Sequence, residues 1–297
     1  MRQGGLDTYL GTEIDFSSPV GEPALLSPDS VQWRVYKNPI ALGIGGIAAV
    51  LLEFAEPRIR SGVWDHSTYK VDPIGRSRRT GLVAMLACYG PASVAKEVIG
   101  KVNRMHAQVK GKTPAGEAYR ALDPELLDWV AATASYGFLM AYDRFVRPLT
   151  PADKDRFLRD GDAIGREFGA RHTPPTIDAF MAMMAILEQR FEPHPILFEF
   201  LAIIESGRAA PGVPRALHRA IARASVSLLP PSIRQRLDLG ARYDLSRLDR
   251  FVLRTAGRLA DRRVDRTSPP CQASVRLGLP HDFLFKSPAE QGRILAR

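Results

Sequence analysis

Cysteine is scarce in this chain. Among 297 residues only Cys88 and Cys271 occur, far apart and in no C-x-x-C pair. That excludes a disulfide framework and gives no cysteine-built zinc or redox site. A chain of this length buries enough core to need neither, and a reducing cytosol is the expected compartment. Long apolar runs are missing as well. The most apolar stretch, residues 39–52 between Lys37 and Glu53, is too short to span a bilayer and reads as a buried core helix. Residues 1–10 hold no apolar leader core, so no secretory signal is expected. The sequence has no H-E-x-x-H, G-x-S-x-G or P-loop, which disfavours zincins, α/β-hydrolases and NTPases. It also lacks alternating strand patterns and any repeat of fixed period.

What is present is ordinary in bulk and uneven in detail. Hydrophobic residues make up 45% and charged residues 25%, which suits a soluble globular chain. Net charge is +9, and it is concentrated: residues 208–263 hold thirteen arginines, four aspartates and no lysine. Residues 1–26, rich in Gly, Ser and Pro, read as a poorly ordered arm. Residues 27–260 read as one multi-helix domain. Helix starts are marked by Ser27-Pro28, Asn38-Pro39, Asp123-Pro124, Thr150-Pro151 and Thr176, and stops by Pro57, Gly90-Pro91, Gly111, Pro148 and Gly169. Residues 58–74 look irregular. Residues 91–110 form a clear amphipathic helix, with Val94, Val98, Val102, Met105 and Val109 at helical spacing. Residues 261–297 lose the period and read as a tail. The fold class is all-α, with about eight to ten helices on length grounds.

Few segments could carry chemistry. Gly43-Ile44-Gly45-Gly46-Ile47-Ala48 fits G-x-G-x-x-A, but no strand precedes it, and small residues on a buried helix more simply permit close packing. His106 adjoins the apolar stripe of its helix. A hydrogen-bonded core histidine and a haem ligand both fit that position. Arg76-Ser77-Arg78-Arg79-Thr80 precedes an apolar helix, where it could hold a carboxylate or phosphate or form a solvated basic turn. Asp65-His66 is a weak acid–base pair, more simply a turn contact. Arg215, Arg219 and Arg223 recur at i, i+4, i+8. Arg247, Arg250, Arg254 and Arg258 line a face opposite Leu248, Val252 and Leu259. Those three apolar side chains are expected to pack inward, leaving the arginines as a solvated stripe or a weak contact for an anionic membrane surface. No nucleic-acid partner is expected.

An ordered series of pieces then resembles a known family. Gly43–Pro57 ends in Ala55-Glu56-Pro57. Val63–Ser67 follows, then Asp72-Pro73 with Arg76-x-x-Arg79-Thr80, then His106-x-x-Val109-x-Gly111. Next comes Tyr119-x-Ala121-x-Asp123-Pro124-x-Leu126-Leu127-x-Trp129-Val130. Ala141-Tyr142 through Pro148-Leu149-Thr150 and the Leu229-Pro230 region close the series. Over roughly residues 35–245 this order resembles the family of the mycophenolic-acid-pathway oxygenase and the latex-clearing rubber oxygenase. The resemblance implies a single all-α domain with a globin-like core and haem b held by one axial histidine, which falls on His106. It puts Arg76 and Thr80 near the haem. Arg79 stands where the rubber-cleaving branch places a distal lysine, a departure that bears on rubber cleavage itself. Two further departures are Glu56, where many relatives have histidine in Ala-His-Pro, and Ala131, where many have histidine in Trp-Val-His. The implied activity is a haem-dependent oxygenase using O2 on a small apolar, isoprenoid or lipid-like substrate, with Arg76, Arg79 and Thr80 as catalytic candidates. The alternative is a haem- or lipid-binding helical protein without turnover. A cytoplasmic location, with peripheral membrane contact left open, completes the expectation.

Overall fold

Capping side chains followed by proline set most of the helix starts. In the computed structural model, which describes residues 7–69, 71–208 and 214–296, a hairpin of β1 (Asp7–Tyr9) and β2 (Thr12–Ile14) leads into α1 (Val31–Tyr36) and α2 (Pro39–Ala55). Then come α3 (Pro57–His66), α4 (Pro73–Tyr89) and α5 (Ala92–His106), a second hairpin of β3 (Lys110–Lys112) and β4 (Ala118–Arg120), and α6 (Pro124–Phe145). The chain continues through α7 (Pro151–Glu167), α8 (Ile177–Leu187), α9 (Pro195–Glu205), α10 (Arg215–Leu228) and α11 (Pro231–Arg236), and closes with α12 (Arg247–Arg262), α13 (Pro269–Arg276) and α14 (Pro288–Leu295). At α2 the Asn38 side chain accepts from the amides of Ile40 and Ala41, and at α6 Asp123 accepts from Glu125. Thr150 and Asp153 form a reciprocal capping box at α7. Each satisfies amides that a helix start leaves without partners. The fold is all-α apart from the two small hairpins. Fourteen α-helices stand among the described residues, more than the eight to ten expected, because short pieces such as α1, α3 and α11 carry too few turns to show a period.

The glycine run on α2 does what small residues on a buried helix do. A β-carbon at Gly45 would fall 2.6 Å from the Gly137 carbonyl oxygen of α6, and one at Gly137 would strike the Gly45 carbonyl in turn. The two backbones therefore touch. α9, α10 and α12 pack around this pair, and one apolar core runs through Leu51, Phe54, Trp129, Leu139, Phe180 and Phe200. α4 and α5 pack on each other around a separate core of Leu86, Tyr89, Ala95 and Val98. α1 lies between the two, with Tyr36 touching both cores.

Three expectations are corrected. The arm and the tail are joined to the body. Residues 1–6 and 297 lie outside the described residues, but Ile14, Phe16 and Leu26 are buried in the second core with Ala273 and Phe283. The buried Arg276 guanidinium donates to the carbonyls of Glu22 (2.8 Å), Phe16 (2.7 Å) and Tyr89 (2.7 Å). Aperiodic sequence here reflects short elements held by side chain–backbone bonds. Second, residues 58–74 are largely helical, and α5 stops at His106 instead of running to Lys110. Gly111 is not its stop signal. It belongs to β3, where a β-carbon would lie 2.6 Å from the Tyr119 hydroxyl.

Third, α12 is turned about its axis relative to the expectation. Leu248, Val252 and Leu259 face outward, with Phe251, while Leu253, Gly257 and Asp261 are buried. A β-carbon at Gly257 would lie 2.5 Å from the Phe145 carbonyl oxygen, so only this face can approach α6 so closely. Asn38 donates to the Gly257 carbonyl (2.9 Å). Asp261 receives Lys37 (3.1 Å), Arg147 (3.0 Å) and the Tyr142 hydroxyl (3.2 Å). A buried carboxylate needs such partners, and they decide the orientation against the greasier stripe.

Candidate functional site between the helix pairs

Among the described residues the α4–α5 pair makes at most marginal backbone contact with the α2–α6 pair. Half-buried Val50 and Val130 rest on the first core, and Leu82 and Val83 on the second. Three polar groups converge between the two pairs. Glu53 comes from the last turn of α2, Arg76 from the second turn of α4 and His106 from the C-terminal end of α5.

The Asp72 cap, accepting from the Gly75 amide at 2.8 Å, starts α4 and sets the position of Arg76. The Arg76 guanidinium donates to the Thr80 hydroxyl, which itself donates to the Arg76 carbonyl at 3.0 Å. The positive field of Arg76 also reaches both Glu53 and His106. Arg79 goes elsewhere, to Asp72 (3.2 Å) and Thr68 (2.8 Å). Arg76 is thus placed within electrostatic reach of His106, Thr80 is exposed and bonded to Arg76, and Arg79 braces the turn before α4.

His106 sits at a helix end that would ordinarily favour its cation. Instead, burial first and Arg76 second hold its pKa below the usual histidine value. The ring is neutral at physiological pH, and its buried Nδ1 has no hydrogen-bond partner among the described residues. Buried ring nitrogens seldom go without one, and a neutral imidazole is the form that ligates metal.

Glu53 was not among the expected site residues. Burial pushes its carboxyl up to about 7, against the opposing pull of Arg76 and a long hydrogen bond from Thr133 (3.4 Å). The residue is half-buried. A signal was available: Glu53 is the one charged residue in α2. Tyr69, hydrogen-bonded to Ser77, closes the aromatic end by stacking on Trp64.

The neighbouring departures have structural roles. Glu56 is fully buried as the cap of α3, accepting from the Ile59 amide at 3.0 Å and pairing with Arg58 (2.6 Å) and Arg190 (3.3 Å). His66 meets the Tyr119 hydroxyl at 3.2 Å, away from Arg76.

Residues 33–262 match the family described as ER-bound oxygenase mpaB/B'/Rubber oxygenase, catalytic domain. This chain belongs to that family. The matched span runs from α1 through α12 and contains Glu53, Arg76, Arg79, Thr80 and His106. The family is one of oxygenase catalytic domains. Two uncharacterized proteins, from Mycobacterium bovis and Mycobacterium tuberculosis, are each 30% identical over 123 residues, 40% of this chain and 48% of theirs. The chain thus spans about half the length of the curated relatives it matches. No solved structure matches it. Among the described residues, no single helix is long and apolar enough to cross a membrane.

Proposed function

We propose that this member of the family is a haem b-dependent oxygenase that uses O2 on an apolar, isoprenoid or lipid-like substrate, with His106 as the single axial ligand in a globin-like core. The observation that carries the reading is the state of His106: enclosed, kept neutral, and with Nδ1 unpartnered. The residues around it fit the group. His106 would hold the iron, Arg76 offers a guanidinium for a propionate, and the half-buried valines and leucines suit a flat apolar ring. Haem b, when bound, supplies an iron centre at which dioxygen is activated.

The chain's own groups do the rest. Val50, Val130, Leu82 and Val83 exclude water and receive an apolar substrate. The Glu53 carboxyl, poised at about 7, accepts or returns a proton near neutral pH. The Thr80 hydroxyl fixes the Arg76 guanidinium, and Arg79 holds the loop that positions both. A lipid-like substrate brings weak peripheral contact with an anionic membrane, for a protein acting in the cytoplasm, within the same reading. The test is reconstitution with haem followed by His106→Ala. Wild type should show a Soret band, and the variant should lose it while its helical circular dichroism stays. An unchanged Soret band in the variant would remove His106 as ligand. A normal band without substrate-linked O2 consumption would favour a haem-binding protein without turnover.

A further inference from the structure

The outward half of α12 is apolar. Leu248 is 71% exposed, Phe251 68% and Leu259 64%, with Val252 between them on the same side. On an α-helix these positions, together with Thr255, form one continuous stripe. Single exposed apolar residues need no explanation, but four in a row on a rigid helix do. α12 is held firmly by its opposite face, through Gly257 against Phe145 and Asp261 against Lys37, Arg147 and Tyr142. The stripe is therefore displayed as part of the folded state.

Charge identifies what covers it. Arg247, Arg254 and Arg258 flank Phe251 at helical spacing, and Arg262 continues that side toward the helix C-terminus. Both acids of α12 are already engaged, Asp249 by Arg223 (3.4 Å) and Asp261 by Lys37 and Arg147. A second copy of this chain would bring a second arginine row to the first, with no free carboxylate on α12 to answer it. An anionic lipid surface answers both halves at once. Apolar side chains enter the boundary between headgroups and acyl chains, and arginines extend their stems along them to reach phosphate.

We propose that α12 docks this protein on anionic bilayers as an in-plane helix, with Leu248, Phe251, Val252 and Leu259 inserted and Arg247, Arg254, Arg258 and Arg262 on lipid headgroups. Docking through one in-plane helix is reversible and salt-sensitive. It stands apart from the haem reading, so His106→Ala should still dock.

The test is co-sedimentation of the full chain with phosphatidylserine–phosphatidylcholine vesicles and with pure phosphatidylcholine, at low and high salt. Wild type should bind the anionic vesicles and release at high salt. Changing the four arginines to glutamine should weaken binding by about fivefold per residue. Leu248→Gln, Phe251→Gln and Leu259→Gln together should weaken it about tenfold or more, while circular dichroism and haem uptake stay as in wild type. Phe251→Trp should show a blue-shifted emission with anionic vesicles only. Absence of vesicle binding would overturn the proposal. So would binding indifferent to the apolar triple, or self-association that the triple abolishes in vesicle-free solution.

Discussion

Glu53→Gln offers a direct measurement of the inter-helix site without any cofactor. The folded protein raises the Glu53 carboxyl from an ordinary 4.5 to about 7. Between those values the native state holds a proton that the unfolded chain has released. Stability therefore falls as pH rises through that window and stays reduced above it. A shift of this size corresponds to about 3 kcal/mol as an upper bound, at about 1.4 kcal/mol per unit. The surface that Glu53 retains lowers the figure through solvent screening. Glutamine has the shape of the protonated acid and no charge to desolvate. Relative to wild type, the variant should gain about 2 kcal/mol between pH 5 and pH 8. Urea unfolding of the haem-free protein at the two pH values measures this, and the wild-type difference cancels the other titrating groups.

Glu56→Gln is the matched control. It lies three residues further on, yet its carboxylate is held by Arg58, Arg190 and the Ile59 amide. Its loss leaves the buried Arg58 guanidinium short of a partner, which costs about 3 kcal/mol in the destabilising direction at both pH values. If Glu53→Gln instead destabilises equally at pH 5 and pH 8, the carboxyl is not held protonated and the enclosed character of the site is wrong.

Other perturbations have distinct outcomes. Arg76→Ala should lower haem retention, read by gel filtration of the Soret-absorbing species, more than Arg171→Ala, whose side chain is exposed on a loop; equal, negligible effects would remove Arg76 from the site. Gly137→Ala should cost about 1–3 kcal/mol in urea unfolding, because the new methyl meets the Gly45 carbonyl. Arg276→Met should cost roughly 3 kcal/mol or more, since it leaves the carbonyls of Phe16, Glu22 and Tyr89 without their donor, and it should expose the N-terminal hairpin to protease before the helical core.

The all-α class and the long helices were legible because period and punctuation agree there: Asn38-Pro39, Asp123-Pro124 and Thr150-Pro151 each place a cap before a proline, and the structure begins α2, α6 and α7 at those prolines. What escaped is carried by single side chains whose partners lie far along the chain. Arg276 reaches Phe16 across 260 positions, and Lys37 reaches Asp261 across 224. No local pattern encodes such pairs, so an arm and a tail were read where packed elements stand. The same limit applies to the site. His106, Arg76 and Thr80 could be picked out as residue types, but that Arg76 turns toward His106 and Glu53 while Arg79 turns toward Asp72 depends on the Asp72 cap and the start of α4. Glu53 read as the flank of an apolar run, when its meaning is that a lone acid on a buried face has to find a partner or keep its proton.

The rotation of α12 follows from the same physics and reverses a rule of thumb. Apolar periodicity names the face a helix hides only when nothing stronger competes. Here a glycine that fits against the Phe145 carbonyl and a buried aspartate with three partners, Lys37 and Tyr142 buried with it, compete and prevail. Each buried charge-assisted hydrogen bond contributes about 1.5–3 kcal/mol, comparable with fully burying a leucine or phenylalanine side chain at about 1.5–3 kcal/mol. Turning the stripe inward would bury several apolar side chains, but it would strip Lys37 and Arg147 of Asp261 and drive side chains into the α6 backbone, so the outward stripe is the lower-energy arrangement for the chain in water. That stripe leaves an uncompensated apolar surface beside a row of arginines, and a surface that combines both is satisfied by an anionic lipid interface more completely than by water.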